Sequence, residues 1–330
     1  ETGQSFEVAA GEAVLEAALR GEIALPHECQ FGGCGTCRIK LVEGAVGYTS
    51  EDGEAGELPM GLSPEEAEAG YALACQARPS SDLVISVAPP LACSSPTLLS
   101  ATVEGVQALT PDVTHLRLRL PEDVELVYRP GQYMNVQLGD GRHRSFSMAS
   151  RPNGGTVDFH VRRIPGGTFT EQHLAALRAG QTLDVEMPHG NFCFHAEDYR
   201  PLVMVATGTG LAPIKSMLEA LMDDEDCPPV SLYWGMRTEA DLYLHDEIQT
   251  WADRLYEFQY VPVLSRASDS WTGRRGYVQD AVLADLPDLS EHAIYLCGSP
   301  NMIADAKVAF AARGASMDHL YADSFVFQMV

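Results

Sequence analysis

Apolar and polar side chains follow three different rhythms along this chain. Over residues 99–200 the period is two. Thr114-His115-Leu116-Arg117-Leu118-Arg119-Leu120 puts every second side chain on one side, as a half-buried strand requires. Residues 134–138 and 157–163 continue the theme between Gly- and Pro-marked turns, with one helix predicted over 170–178. The pattern predicts an antiparallel β-barrel. From Pro201 onward, short apolar runs at 202–206, 231–234, 258–263 and 294–297 alternate with stretches of helical composition, which predicts a doubly wound α/β sheet. Residues 1–92 are rich in Glu, Gly and Ala, with a helix predicted at 13–19. A second is predicted after Ser63, where Pro64-Glu65-Glu66 forms a helix start. Ala88-Pro89-Pro90 and Cys93-Ser94-Ser95-Pro96 read as a linker. The expected domains are 1–92, 93–200 and 201–330.

Composition narrows the function classes. A chain of 330 residues exceeds one ordinary core, and 45% apolar with 21% charged residues describes a globular protein. No apolar run approaches the roughly 20 residues that cross a bilayer, and no basic-then-apolar leader is present, so a cytoplasmic protein is expected. The chain begins at Glu1, so native residues can precede it. The net charge of −24 repels nucleic acid and anionic membrane surfaces alike. Residues 1–92 hold four bases against fifteen acids. That excess could steer a basic protein partner or serve solubility alone.

Of eight cysteines, three are bunched as Cys29-x4-Cys34-x2-Cys37, and Cys75 follows after 37 intervening residues. Clustered cysteines in a cytosolic protein point to metal, and this spacing is the plant-type [2Fe–2S] pattern. Gly32, Gly33 and Gly35 let the backbone approach the sulfurs closely enough to donate N–H hydrogen bonds. The alternative is a zinc knot in a docking module, which the lone distant Cys75 fits poorly.

Arg144-Ser145-Phe146-Ser147 opens a strand after a Gly-rich turn. Downstream come Val161-Arg162-Arg163 and Pro165-Gly166-Gly167-Thr168-Phe169-Thr170 at a helix start, a natural pyrophosphate site. Arg144 could neutralise phosphate, Phe146 could stack on a flat ring, and Ser147 could bond a ring nitrogen. The tetrapeptide alone equally describes an exposed Arg beside a core strand. Strand 202–206 runs into Thr207-Gly208-Thr209-Gly210-Leu211-Ala212-Pro213, whose glycines suit a close phosphate, with Pro213 expected as the first helical residue. It lacks the full G-x-G-x-x-G fingerprint. Tyr233-Trp234-Gly235-Met236-Arg237 and Leu296-Cys297-Gly298-Ser299-Pro300 place glycines at the carboxyl ends of strands, the ligand edge of such sheets. Cys297 is also readable as a merely buried small residue.

Taken together, CQFGGCGTC, RSFSMAS, HVRRIPGG, GTGLAPIKS, YLCGSP and a terminal YADSF resemble the reductase components of Rieske non-haem iron oxygenases, within the ferredoxin–NAD(P)+ reductase superfamily. The resemblance spans essentially the whole chain. It implies a β-grasp [2Fe–2S] domain, an FAD-binding barrel and an NAD(P)H-binding α/β domain. By the same resemblance Cys29, Cys34, Cys37 and Cys75 are cluster ligands. Arg144, Ser145, Phe146, Ser147, Val161, Arg162, Gly167, Thr168 and Thr170 hold FAD, with Phe146 standing where many relatives have Tyr. Gly208, Thr209, Gly210, Pro213, Gly235 and Arg237 hold the nicotinamide nucleotide. Ser147, Cys297, Gly298 and Phe325 border the reacting rings, and nicotinamide must displace or bypass Phe325. Val263-Leu264-Ser265-Arg266 resembles NADPH-specific members, whereas Trp271-Thr272-Gly273-Arg274 resembles NADH-dependent ones, so NADH is expected over NADPH. The expected acceptor is a terminal oxygenase or its ferredoxin; a di-iron monooxygenase hydroxylase or a deoxysugar dehydratase are alternatives.

Overall fold

The computed structural model describes residues 3–27, 29–48, 56–87, 96–122, 124, 127–139, 141–222 and 224–325. The expected 92/93 boundary, most of the linker and Cys93 lie outside these residues. In the N-terminal unit, helix α1 (Val14–Arg20) covers a small sheet. Its Val14, Leu15, Ala17 and Ala18 are buried, and Glu16 and Arg20 sit at the dipole ends that favour them. The strands are β1 (Arg38–Glu43), β2 (Val46–Gly47), β3 (Tyr71–Leu73), β4 (Arg78–Pro79) and β5 (Val84–Ser86). They form an antiparallel sheet in the order β3-β1-β5 beside a β2–β4 pair. Between them α2 (Pro64–Glu68) is fixed by a complete capping box of Ser63 and Glu66, with Pro64 at the first helical position, as expected.

The middle unit holds β6 (Thr97–Ala108), β7 (Val113–Arg119), β8 (Tyr133–Gln137), β9 (His143–Ser147), β10 (Thr156–Arg162) and β11 (Thr182–His189). They run antiparallel in the order β10-β7-β6-β11-β8-β9, and a bridge from Met148 to Phe159 brings the two edges together as a barrel. The interior is filled by Leu116, Leu118, Met134, Met148, Phe159 and their neighbours. The helix expected over 170–178 is shorter. A widened turn, Thr168–His173, leads into a brief α3 (Leu174–Ala176). Thr170 Oγ1 accepts the Ile164 N–H at 3.1 Å, which ties the turn to the preceding loop rather than letting it extend as a regular helix.

The C-terminal unit is a six-stranded parallel sheet ordered β15-β14-β13-β12-β16-β17. Its elements are β12 (Leu202–Thr207), α4 (Leu211–Leu221), β13 (Val230–Met236), α5 (His245–Gln249), β14 (Phe258–Leu264), β15 (Arg274–Arg275), α6 (Val278–Asp285), β16 (Ala293–Gly298), α7 (Pro300–Ala311) and β17 (Leu320–Ser324). Alternate residues of β12 serve two cores. Leu202, Met204 and Ala206 pack with α4 on one face, while Val203 and Val205 pack with α6 and α7 on the other. The connection switches sides between β12 and β16, which opens the crevice where ligands bind in such sheets. Pro213 is the third helical residue, not the first, because a tight turn over Gly208–Gly210 precedes α4. It remains within the first turn, where an N–H has no intrahelical partner.

Candidate functional site

The glycine loop 29–37 brings the first three cysteines toward Cys75 as two close pairs. Cys37 Sγ lies 3.2 Å from Cys75 Sγ, and Cys29 Sγ accepts the Cys34 N–H at 3.4 Å. Within the second pair the shared contact and burial push the Cys37 thiol up, and the same contact draws the Cys75 thiol down. Among the described residues no three His, Cys, Asp or Glu side chains are gathered to hold a single metal ion. The backbone fits a bridged pair of irons better. N–H groups of Phe31, Gly33 and Cys34 converge on Cys29, and the Gly32 N–H reaches Cys75. The Cys29 thiol is drawn down to about 5, chiefly by its Cys34 partner. A Cβ on Gly32 would stand 2.8 Å from Pro59 and 2.9 Å from the Gln76 side chain, so only glycine lets the loop close.

On the barrel, strand periodicity divides the tetrapeptide. Arg144 and Phe146 share one face, and Ser145 and Ser147 the other. Arg144 donates to the His143 carbonyl oxygen and has no carboxylate partner among the described residues. Ser145 Oγ bonds Asn135 Oδ1 at 2.7 Å, and Ser147 is buried opposite Tyr133. Phe146 is half-buried and leans on Phe169, ring centres 5.3 Å apart, which joins this strand to the turn that carries Gly167, Thr168 and Thr170. A Cβ on Gly167 would meet Thr170 Oγ1 at 2.6 Å. Val161 is fully buried, while Arg162 pairs with Asp112 and carries its guanidinium to within van der Waals reach of Gly208. The barrel edge and the Gly208–Gly210 turn therefore meet at one place.

That turn is packed rather than merely flexible. A Cβ on Gly210 would stand 2.3 Å from the Cys297 carbonyl oxygen, so α4 starts directly against β16. Thr209 is buried, and Trp234 Nε1 donates to the Gly208 carbonyl at 3.0 Å. Gly235 lies beside Thr207 in register, and Arg237 is exposed just past the strand end. Gly298 has φ +129 and accepts the Phe325 N–H at 2.8 Å. Cys297 has no solvent exposure, and burial pushes its thiol well above its ordinary value. Phe325 packs on the core cluster that contains it. Asp323, in register with Cys297, was not singled out from the sequence: burial pushes its carboxyl up to about 6. Its signal was only its place inside the terminal YADSF string.

A thiol loop with converging N–H donors, a barrel strand with an unpaired arginine and a nucleotide edge one turn away define an iron–sulfur flavoprotein. Family models agree segment by segment. Residues 1–80 match the 2Fe-2S iron-sulfur cluster binding domain, 100–194 the oxidoreductase FAD-binding domain and 204–308 the oxidoreductase NAD-binding domain. The CDP-6-deoxy-L-threo-D-glycero-4-hexulose-3-dehydrase reductase of Yersinia pestis is 35% identical over 95% of this chain and 93% of its own. Terephthalate 1,2-dioxygenase reductase component 1 of a Comamonas species is 34% identical over 97% and 94%. Among solved structures, the Amycolatopsis cytochrome P450 reductase GcoB superposes with a TM-score of 0.71 at 32% identity, covering 98% of this chain and 97% of its own. The chain belongs to the family of three-domain electron-transfer reductases of the ferredoxin–NAD(P)+ reductase superfamily. It is an NAD(P)H-dependent oxidoreductase that carries FAD and a [2Fe–2S] cluster. FAD supplies the coupling between a two-electron hydride donor and one-electron acceptors.

Proposed function

We propose that this reductase takes electrons from NADH and delivers them singly to a terminal ring-hydroxylating oxygenase, directly or through that oxygenase's ferredoxin. In this reading the units 1–92, 93–200 and 201–330 carry cluster, flavin and nucleotide respectively. Cys29, Cys34, Cys37 and Cys75 hold the irons. Arg144, Ser145, Phe146, Ser147, Val161, Arg162, Gly167, Thr168 and Thr170 hold FAD. Gly208, Thr209, Gly210, Pro213, Gly235 and Arg237 hold the nucleotide. Cys297 and Gly298 border the nicotinamide, and Phe325 covers the flavin face that nicotinamide must reach.

The observation that carries the acceptor reading is charge. Of the four bases in residues 1–92, Arg38 and Lys40 are taken up by contacts with the nucleotide unit, Arg20 pairs with Glu12, and Arg78 bonds backbone carbonyls. Each base of the cluster unit is thus engaged, and its acids outnumber them fifteen to four, which suits a basic docking face. NADH is supported by Glu239, whose carboxylate bonds the Ser268 N–H and hydroxyl beside Arg237 and would oppose a 2′-phosphate there. The seven described cysteines are unbridged, which suits a reducing, cytoplasmic setting.

Replacing Cys34 with Ser should abolish delivery to the protein acceptor while dye reduction by NADH persists, and equal loss of both would overturn the division of labour. A dehydrase acceptor is the second reading, favoured by the Yersinia relative. Cluster reoxidation by purified oxygenase against purified dehydrase separates the two.

A further inference from the structure

Lys307 projects from α7 into the seam with the cluster unit. Its ammonium lies 2.9 Å from Glu66 Oε2 and 3.3 Å from the Gly61 carbonyl oxygen. The other Glu66 oxygen accepts from Arg38 Nη1 at 2.8 Å. The Glu66 side chain is 0% exposed and that of Lys307 6%. Burial alone would raise the Glu66 carboxyl, but the Lys307 and Arg38 charges overcome it and hold it below its ordinary value. One carboxylate is thus sealed between two cations from different units.

No member of this triad is among the residues proposed to hold cluster, flavin or nucleotide, yet the triad grips both supports. Gly61 donates its N–H to Gly32 of the cluster loop at 2.8 Å, and a Cβ on Gly61 would stand 2.9 Å from the Gly32 carbonyl oxygen and the Gly35 nitrogen. The strap Lys307 holds therefore lies directly on the cluster loop. Lys307 itself rides on the helix that begins two residues after Gly298, the partner of Phe325. Gly33 and Cys34 face Pro300, Ile303 and Ser324 across a shared cleft of about 120 Å³. A buried ion pair adds little net stability, but losing one partner leaves a stranded charge, so such pairs serve best to fix a single arrangement.

We propose that Lys307 and Glu66 are positioning residues that lock the cluster loop against the Gly298–Phe325 edge and so set the rate of electron transfer from flavin to cluster. Bound here, FAD reduced by the hydride of NADH would supply the electrons one at a time and the cluster would accept them, while Lys307 and Glu66 hold the two supports at a fixed separation. The distance is fixed by the latch, and electron transfer falls off exponentially with separation, so a shifted cluster loop slows the step.

The test uses holoenzyme carrying Lys307→Met or Glu66→Gln, mixed anaerobically with NADH. Flavin bleaching should keep its wild-type rate and both reduction potentials should hold. Cluster reduction should slow severalfold, and amide exchange across residues 61–68 and 300–311 should accelerate. Lys307→Arg, which keeps charge and donors, should restore the cluster rate. Should Lys307→Met fail to load, Glu66→Gln carries the test: its amide oxygen can still accept the Ser63 N–H that caps α2, while the carboxylate charge facing Lys307 and the acceptor for Arg38 are both lost. Wild-type cluster reduction in a variant whose seam exchanges faster would overturn the proposal. So would unchanged exchange, or an equal fall in flavin bleaching.

Discussion

The nucleotide unit has two seams, and they are built from different materials. Against the barrel it presents an apolar core and hydrogen bonds to neutral groups, together with a His319–Asp198 contact at 2.9 Å: Phe192 belongs to the same core as Leu202, Met204 and Trp234. Ser216 Oγ donates to the Ser150 carbonyl at 2.6 Å, Lys215 reaches the Ala149 carbonyl at 3.1 Å, and the Tyr243 hydroxyl stands 3.3 Å from His160 Nδ1. Against the cluster unit, the half-buried Tyr71 ring is, among the described residues, the one that both cores share, and beside an apolar-lined cleft the side-chain contacts are charged: Arg38, Glu66 and Lys307 inside, Lys40 and Asp318 at the rim. Hydride transfer needs reacting atoms in near-contact, so its seam is close-packed like an interior. Single electrons cross longer gaps, so the second seam needs only a defined position.

The largest effect is expected where the barrel seam has no room. Gly131 has φ +105, and a Cβ there would stand 2.2 Å from the Phe192 carbonyl oxygen and 2.4 Å from Met217 of α4. Gly131→Ala combines backbone strain with overpacking, each costing about 1–3 kcal/mol. Urea unfolding should show that loss, and NADH-driven flavin bleaching should fall with it. Lys307→Met, in contrast, should leave flavin bleaching alone. If Gly131→Ala left bleaching untouched, the barrel seam would not be the tight one.

Acid should separate the seams in a milder way. Burial first, then the Lys215 and His115 charges, hold His160 down at about 3 against an ordinary 6.5, with Asp158 opposing. The unfolded chain therefore takes up a proton at His160 that the folded chain refuses. The stability this contributes is fully present above pH 6.5 and is lost as pH falls toward 3, at up to about 1.4 kcal/mol per pH unit. Glu66 is depressed from 4.5, so its share is present above that value and lost only below it. Between pH 6.5 and 5, amide exchange should rise around residues 149–160 and stay flat across 300–311. Simultaneous loosening would mean that the two seams do not titrate separately.

What could be read from the sequence, and what could not, follows the same division. The cysteine and glycine loops were legible because each site is built within a short segment: the spacing of Cys29, Cys34 and Cys37 and the order of Gly208 and Gly210 are local facts. The strands at 202–206 and 157–163 were legible because burial on one or two faces fixes their period. The helix over 170–178 was overread, since composition could not show that Thr170 bonds the Ile164 backbone. Glu66 and Lys307 left no signal at all. They stand 241 residues apart, and Glu66 has a sufficient local reason to exist as the third residue of a capping box. The oxygen that meets Lys307 is the one that already accepts the Ser63 N–H, and the other serves Arg38 of the same unit, so nothing local marks the contact across the seam.

The smallest effect is expected at the rim of the charged seam. Lys40 Nζ lies 3.4 Å from Asp318 Oδ1, with side chains 36% and 64% exposed, and sits over the Tyr71 ring at 4.2 Å. Tyr71 also donates to Asp318, so the carboxylate keeps a partner if the lysine is lost. In water-rich surroundings such a pair contributes about 0–1 kcal/mol, and salt at about 0.3 M screens most of that. Lys40→Gln should therefore slow cluster reduction by less than about twofold at low salt, with the difference vanishing at high salt. Lys307→Met should keep its deficit in both, because no ions reach a pair closed off from solvent. If the two variants matched in size and salt response, burial would not decide which charges position the cluster unit, and the contrast between latch and rim would fail.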